Sequence, residues 1–328
     1  MVLIVRFCLI IFLFTIISCG TENSRMLPTS TGKAGEIIVV IAQNHWESKP
    51  GDAIRKVLAQ PYAALPQEEP LFDVVNVKKA GFKGILTRHR NILILEIGSS
   101  TPESMIMKKD VWANGQIAVT LSAANGSDAA KLILSKSAKL ISHFTDAERY
   151  RLMKGYSKIK NKKVIDEIEK KLQVRLSIPK DYKIATVAKE FMWIRKETRE
   201  TSQGILIYGY PYIDKKAFSI ENIIHIRDSV THANVPGSRE GSFMKVVKEY
   251  PPVVSEVDFN NNYALEVRGL WDVEGDFMGG PYLSYTMLDV EGQRVFCAEA
   301  YVYAPKFNKR NYLRQLEAIL LTLKFTEK

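Results

Sequence analysis

Residues 282–304, with the sequence YLSYTMLDVEGQRVFCAEAYVYA, decide the fold of the second half of the chain. They form two strand-like runs, 282–290 and 294–304, on either side of Glu291-Gly292. Such a pair is typical of a tight turn, so the stretch predicts an antiparallel hairpin. In the second run alternate residues are apolar and are expected to face the core: Phe296, Ala298, Ala300, Val302 and Ala304.

More strand-like segments precede this hairpin. They lie at 183–189, 192–196, 204–210, 243–250 and 264–271. Amphipathic helices are predicted from near Ser219 and from about Asn308. Residues 176–328 are therefore predicted to form an α+β domain, a mainly antiparallel sheet flanked by helices.

The first half has the pattern of an α/β domain. The segments 36–42 (EIIVVIA) and 91–97 (NILILEI) are continuous apolar runs, which suit strands buried on both faces. Other strands are predicted at 72–77 and 116–123, and helices at 52–60 and from about Ser127. This order predicts a mixed sheet with packed helices over residues 36–145.

A strongly basic segment joins the two predicted domains. The chain has 328 residues, a length that suits two domains, and a net charge of +10. Seven basic residues and no acidic ones lie between Arg149 and Lys163. We interpret residues 146–175 as a solvated basic helical linker. The alternative is a contact with anionic lipid headgroups or cell-wall polymer.

Residues 1–18 have the features of a lipoprotein signal peptide. Arg6 precedes an apolar core at 7–17, which is shorter than the about 20 residues of a membrane-spanning helix. The sequence Ile16-Ile17-Ser18-Cys19 resembles the bacterial lipobox, which implies cleavage before Cys19 and acylation of its sulfur. Residues 19–35 are polar and are expected to be a lipidated flexible tether.

The lipobox resemblance also implies a compartment and partners. Cys19 is followed by Gly20 rather than by the Asp that retains lipoproteins in the inner membrane, which implies anchoring in the outer membrane facing the periplasm. The expected partners are the lipid bilayer, through the acylated Cys19, and an envelope protein or the cell wall. Nucleic acid is not expected there. Cys297 would be the only thiol of the mature body, and we expect it to be buried and inert.

A candidate ligand-binding face is predicted on the sheet of the second half. Polar and aromatic residues alternate with apolar ones on three strands. Two adjacent glycines in a loop beside these strands permit close approach of a ligand or make a tight turn. If the strands are neighbours, their side chains suit hydrogen bonding and stacking against a polar ligand. The alternative is the solvent-facing side of an antiparallel sheet. The candidate residues are Glu266, Arg268, Trp271, Gly279, Gly280, Tyr282, Ser284, Glu299 and Tyr301.

Two candidate binding groups lie in the first half. His45 and Trp46 follow a predicted strand at its carboxyl end, where ligands gather in open α/β sheets. Arg88 and Arg90 precede another predicted strand and could bind an anion. The alternative for the arginines is a basic loop that caps the sheet.

Three carboxylates are candidates for chemistry. Asp272, Glu274 and Asp276 alternate along a strand-like segment, so they are expected on one side, where they could bind a hard cation or act as an acid/base pair. The alternative is a solvated strand end. The sequence contains no Gly-x-Ser-x-Gly, His-Glu-x-x-His or Cys-x-x-Cys motif and no phosphate loop.

Two family resemblances cover most of the mature chain. The lipobox together with LPQEEPLFDV (65–74), RHRNILILEI (88–97) and RGLWDVEGDFMGGPYLSY (268–285) resembles an uncharacterised family of Gram-negative envelope lipoproteins, a domain of unknown function. The order of elements from 176 to 328 resembles PsbP and Mog-type proteins in its Ile178-Pro179 entry, its Gly-Gly-Pro turn and its closing helix. That resemblance implies an antiparallel sheet flanked by helices and a mostly non-enzymatic accessory role.

From these patterns we expect a periplasm-facing lipoprotein that is a non-enzymatic binding or accessory protein of the cell envelope, without a cofactor. One alternative is an envelope hydrolase that uses the three carboxylates or a bound metal. The other is a structural spacer that holds the outer membrane to the cell wall through the basic segment.

Overall fold

The computed structural model describes residues 26–326. The predicted signal peptide and the predicted acylation site at Cys19 lie outside this range. No helix in the described part is both long and apolar enough to cross a membrane.

A five-stranded mixed sheet forms the first half of the fold. Its strand order is β2-β1-β3-β5-β4, and all neighbours are parallel except β4, which is antiparallel to β5 at one edge. The strands are β1 (Glu36–Val40), β2 (Asp73–Val77), β3 (Asn91–Ile97), β4 (Ser104–Lys109) and β5 (Ile117–Ala123). The predicted α/β architecture is confirmed.

The apolar run of β1 is explained by burial on both sides. Ile37 and Val39 face a core that the helices cover, while Ile38 and Val40 face a smaller cluster on the other side of the sheet. The helices of this half are α1 (Gln43–Trp46), α2 (Lys49–Leu58), α3 (Gly126–Ser135) and α4 (Ser137–Tyr156). Asn125 caps α3 by accepting a hydrogen bond from the backbone N–H of Asp128.

An eight-stranded antiparallel sheet forms the second half. Its order is β10-β12-β13-β14-β9-β8-β7, and β11 pairs with β12 as well. The strands are β7 (Lys183–Ala188), β8 (Phe191–Glu197), β9 (Ser202–Pro211), β10 (Phe243–Val246), β11 (Val253–Phe259), β12 (Asn262–Glu274), β13 (Gly279–Asp289) and β14 (Arg294–Tyr303). A short pair, β6 (Val174–Arg175) and β15 (Lys324–Phe325), lies beside it.

The predicted hairpin and the predicted α+β architecture are both confirmed. β13 and β14 pair antiparallel from Tyr282–Tyr301 to Asp289–Arg294. The alternate apolar residues from Phe296 to Ala304 lie in one core, which is closed by α5 (Lys162–Leu172) and α7 (Arg310–Leu320). The opposite face of the sheet packs on α6 (Ile220–Asn234).

The structure corrects the interpretation of residues 146–175 as a solvated linker. They are helical, but α5 buries Val164, Ile165, Ile168 and Leu172 in the core beneath the antiparallel sheet. The last turns of α4 carry Arg149 inward, where it forms an ion pair with Glu317 at 3.1 Å. The four apolar residues of α5 form one stripe, and a stripe of this kind is buried against a core although lysines surround it.

The predicted tether at 19–35 is shorter than expected at its C-terminal end. Thr29 and Thr31 form β-bridges to Asn114 and His89, so this part of the chain lies on the first sheet. The bridges supply backbone hydrogen bonds that fix the path of the chain before β1 begins.

Candidate functional site

The predicted ligand-binding face is divided between two sides of the sheet. In the β12–β13 register Glu266 lies opposite Tyr285, and residues directly opposite each other share a face. Arg268 is on this side as well, because residues two apart along a strand point the same way. Tyr282 and Ser284 therefore point away from Glu266 and Arg268, so the prediction of a single surface is wrong for these two residues.

The candidate residues on the side of the sheet opposite Glu266 and Arg268 are buried. Each is at most 3% exposed: Trp271, Tyr282, Ser284, Glu299 and Tyr301. Helix α6 packs over them and buries Ile223 in the same cluster. The face is therefore neither an open ligand surface nor the solvent side of the sheet, because the apolar side of α6 needs burial and this face provides it.

Glu299 forms a buried ion pair with Arg227 of α6. The guanidinium donates two hydrogen bonds to the carboxylate, at 2.9 and 2.7 Å, and stacks 4.3 Å from the ring of Tyr282. Burial raises the pKa of Glu299 above its ordinary value, and Arg227 opposes that rise. The pair fixes α6 on the sheet and leaves neither charge facing a cavity.

Arg268 lies at the centre of a second buried network, on the other side of the sheet. It donates to Glu266 at 2.6 Å, to the hydroxyl of Tyr62 at 2.8 Å and to Glu317 of α7. Burial alone would raise the pKa of Glu317, but Arg268 and Arg149 outweigh it and bring the pKa to about 2. The network joins Tyr62 and Arg149 of the first half to strands and helices of the second.

Two members of the predicted face, Trp271 and Tyr301, line a cavity at one end of the antiparallel sheet. We call this cavity, of about 260 Å³, the aromatic cleft and define it by Trp193, Met244, Trp271, Met278 and Tyr301. The ring of Trp271 meets that of Tyr301 edge to face at 5.2 Å. The indole N–H of Trp193 donates to the hydroxyl of Tyr301 at 3.0 Å. The indole N–H of Trp271 is buried without a hydrogen-bond partner among residues 26–326.

A second cavity, of about 450 Å³, adjoins the aromatic cleft and shares Glu197, Ser202 and Met278 with it. It is lined mostly by the loop 197–202, together with Tyr303, Pro305 and Lys306. At the boundary Arg195 stacks 4.8 Å over the ring of Trp193 and pairs with Glu197 at 3.0 Å. An aromatic floor with a charged mouth suits a ligand that has an apolar part and a polar end.

The glycines beside the aromatic cleft serve the packing of the sheet. A Cβ on Gly280 would lie 2.0 Å from the carbonyl oxygen of Val302, and one on Gly279 would lie 2.9 Å from that of Trp271. The close approach at these glycines is therefore that of neighbouring backbone. The turn before them exposes Phe277, which is 95% accessible, at the rim.

The three predicted carboxylates do not converge. Glu274 pairs with Lys245, and Asp276 accepts a hydrogen bond from Ser238 in the turn after β12. Asp272 is half-buried, and burial raises its pKa. No three His, Cys, Asp or Glu side chains in the described residues are grouped as a metal site would require. The prediction that all three face one site is wrong, because the strand ends at Glu274.

The candidate binding residues of the first half do not form a common site. Trp46 packs under Arg55, whose guanidinium lies 4.6 Å from the ring, and its neighbour His45 belongs to the same short helix α1. Arg88 is exposed, whereas Arg90 turns inward to Glu148 at 3.4 Å. The two arginines therefore do not form one anion site.

Glu148 is a residue that the sequence patterns did not single out. It is 3% exposed and binds Arg151 at 2.9 Å, Arg90 and the side chain of Asn91 at 2.8 Å. Burial alone would raise the pKa of Glu148, but the two arginines lower it below its ordinary value. Arg151 is three residues away, but Arg90 and the backbone N–H of Gly35 are 58 and 113 residues away, so no local pattern could reveal the whole set. Cys297 is buried as expected, and burial raises its pKa to about 12.

Solved structures with a related arrangement match about half of this chain. A mutant of the protein Mog1 matches 48% of this chain and 92% of its own, with 8% sequence identity and a TM-score of 0.32. LpqN, which is involved in cell envelope biogenesis of Mycobacterium tuberculosis, matches 47% of this chain and 83% of its own, with 11% identity and a TM-score of 0.28. No curated protein sequence matches this chain.

Two family models divide the chain between them. Residues 30–157 match a domain of unknown function (DUF8532), and residues 161–322 match another domain of unknown function (DUF4837). The two matched ranges meet in the short connection between the end of α4 at Tyr156 and the start of α5 at Lys162. The chain is therefore similar, over almost all of the described residues, to two successive domains of unknown function.

Proposed function

We propose that this chain is a lipid-anchored, periplasm-facing protein of the cell envelope that acts as a non-enzymatic accessory by binding a ligand in the aromatic cleft. The observation that carries the binding role is the cleft itself, in which Trp193, Trp271 and Tyr301 form a floor beside a second cavity with charged residues in its lining. The lipobox-like sequence ending at Cys19 supports the anchor.

The chemistry of the cleft supports binding of an amphipathic molecule. The buried indole N–H of Trp271 is a donor without a partner in the described residues, and a buried polar group of this kind is costly unless something satisfies it. The charged groups at the mouth, Arg195 and Glu197, would hold the polar end of such a ligand.

Filling the cleft is expected to abolish binding of an amphipathic probe. Ser202 lines both cavities, so Ser202→Trp would place a large ring in the space between them. We expect the fluorescent dye 8-anilinonaphthalene-1-sulfonate to bind the unmodified protein and to bind Ser202→Trp at least about tenfold more weakly, since about 1.4 kcal/mol of lost contact is tenfold. The measurement is a fluorescence titration of the dye.

The matched control is Ser135→Trp, at an exposed position of α3 far along the chain from the cleft. It adds the same ring and should leave dye binding unchanged. Equal dye affinities for all three proteins would show that the dye binds elsewhere and would remove the support for the cleft as a binding site.

The anchor is tested at Cys19. In cells, Cys19→Ala is expected to move the protein from the membrane fraction to the soluble fraction or to leave it as an unprocessed precursor, because the sulfur that would carry the lipid is gone. Mass spectrometry of the N-terminal peptide of the unmodified protein should show an acylated Cys19. An unmodified Cys19 in the mature protein would refute the anchor while leaving the cleft untouched.

A further inference from the structure

A groove of about 540 Å³ lies between the edge strand β4 and helix α4, at the point where the N-terminal segment meets the fold. The carbonyl of Pro28 accepts a hydrogen bond from the backbone N–H of Asn114 at 2.8 Å, and the N–H of Ser30 donates to the carbonyl of Asn114 at 3.1 Å. Asn114 and Gly115 line the groove. The path of the N-terminal chain is thus fixed at the edge of this groove.

The position of Pro28 limits the distance between the groove and a lipid anchor at Cys19. Pro28 is nine residues beyond Cys19, and an extended chain spans at most about 3.3–3.6 Å per residue. With Cys19 acylated, a step that rests on the proposed function, the groove lies within about 30 Å of the bilayer surface. This face of the fold is therefore held near the membrane.

The charges around the groove complement an anionic surface. Lys109, Lys139 and Lys154 are exposed, and none of them forms an ion pair within residues 26–326. The nearby carboxylates are already engaged. Asp110 accepts hydrogen bonds from the N–H groups of Gly115 and Gln116, at 2.6 and 3.2 Å, and Asp146 pairs with Arg149 at 3.4 Å.

Exposed apolar side chains accompany these lysines. Tyr150 is 60% exposed and Met107 is 36% exposed, and both line the groove. The ammonium group of Lys154 lies 5.8 Å from the ring of Tyr150. A tyrosine beside lysines is a combination that favours the interfacial region of a bilayer, where the ring meets the headgroups and the ammonium groups meet the phosphates.

We infer that the groove between β4 and α4 is a docking surface for anionic phospholipid headgroups of the membrane that carries the anchor. Lys109, Lys139 and Lys154 attract the phosphates, and Tyr150 and Met107 enter the interface. The surface thereby orients the folded body on the bilayer, so that the single attachment at Cys19 is complemented by a second contact.

The test uses a chain that starts at residue 19 and carries Cys19→Ser, which contains every residue that the structure describes. Co-sedimentation is measured with phosphatidylcholine vesicles that contain about 30% phosphatidylglycerol, with pure phosphatidylcholine vesicles and with isolated peptidoglycan. We expect binding only to the vesicles with phosphatidylglycerol, and we expect about 0.5 M NaCl to abolish it because salt screens charge attraction.

The decisive variant is Lys109→Glu with Lys154→Glu. Each lysine near an anionic surface contributes about fivefold to the affinity, so losing two predicts binding weaker by about 25-fold or more. The matched control is Lys215→Glu with Lys216→Glu, which changes the net charge equally at exposed positions of the second half. Equal midpoints of urea unfolding for the two variants establish that both fold.

Three outcomes would overturn the inference: equal loss of binding in the two double variants, binding to pure phosphatidylcholine that matches the anionic vesicles, or preferential binding to peptidoglycan. The last outcome would assign the groove to cell-wall polymer instead. Because the test chain carries no lipid, its result is independent of whether Cys19 is acylated in cells, so failure of the docking surface and failure of the anchor are distinguishable.

Discussion

Replacing Glu317 by Gln is expected to lower the free energy of unfolding by about 3–5 kcal/mol at pH 7. The side chain is 2% exposed and pairs with Arg149, which is 30% exposed, and with Arg268, which is 11% exposed. Removing one partner of a buried ion pair is costly because the remaining charges lose a close counter-charge, and here Arg268 keeps only Glu266 and Arg149 keeps only the exposed Asp146. Urea unfolding of the variant and of the unmodified protein measures the difference.

Glu317 also makes the free energy of unfolding depend on pH in the acidic range. Its pKa of about 2 in the fold lies below the ordinary value of 4.5, so the folded state binds its proton less readily than the unfolded chain does. The stabilisation is therefore fully present above about pH 4.5 and is lost as the pH falls towards 2. At 1.36 kcal/mol per pKa unit it amounts to about 3 kcal/mol.

The pH prediction has its own control. Between pH 5 and pH 2 the unmodified protein should lose this stability, whereas Glu317→Gln should lose about 3 kcal/mol less over the same range. Glu103→Gln, at an exposed carboxylate, should behave like the unmodified protein. A Glu317→Gln variant with the full acid dependence of the unmodified protein would contradict the low pKa of this carboxylate.

The second large effect is expected at Glu299. Glu299→Gln leaves Arg227 charged at 2% exposure beneath the sheet, and we expect a loss of about 3–5 kcal/mol in the free energy of unfolding. The double variant Arg227→Met with Glu299→Leu buries no charge and should recover most of the loss, because apolar replacement of both partners of a buried pair is often neutral.

A double-mutant cycle measured by urea unfolding separates the pair from its surroundings. The single variant Arg227→Met should lower the free energy of unfolding as much as Glu299→Gln does, since it leaves the carboxylate of Glu299 buried without its counter-charge. If the losses of the two single variants simply add in the double variant, the coupling energy is zero, the pair contributes nothing specific and α6 is held by its apolar contacts alone.

The sequence predicted those parts of the fold whose signal is local. The hairpin of β13 and β14 follows from alternation on both sides of Glu291-Gly292, although the connection spans four residues, 290–293. β1 and β3 follow from continuous apolar runs. The edge strand β4 was not predicted, because its residues are mostly exposed and carry no apolar alternation. β11 was not predicted for the same reason.

The candidate site was harder to predict because it depends on pairing between distant strands. The alternation along each strand was correct. Which residues of β12 share a face with Tyr282 depends, however, on the register between β12 and β13, because a shift of one residue moves every side chain of a strand to the other face. The burial of Glu299 and Tyr301 depends on where α6 packs. Arg149 and Glu317 are 168 residues apart, so their contact has no signature in the sequence.

The network around Glu317 has a consequence for how the two domains can vary. Arg149 belongs to the part of the chain that matches one domain, while Arg268 and Glu317 belong to the part that matches the other. Tyr62 of the first part completes the network through its hydrogen bond with Arg268. A substitution at one of these positions removes a buried contact from the other part of the chain, so the residues tolerated in one domain depend on those present in the other.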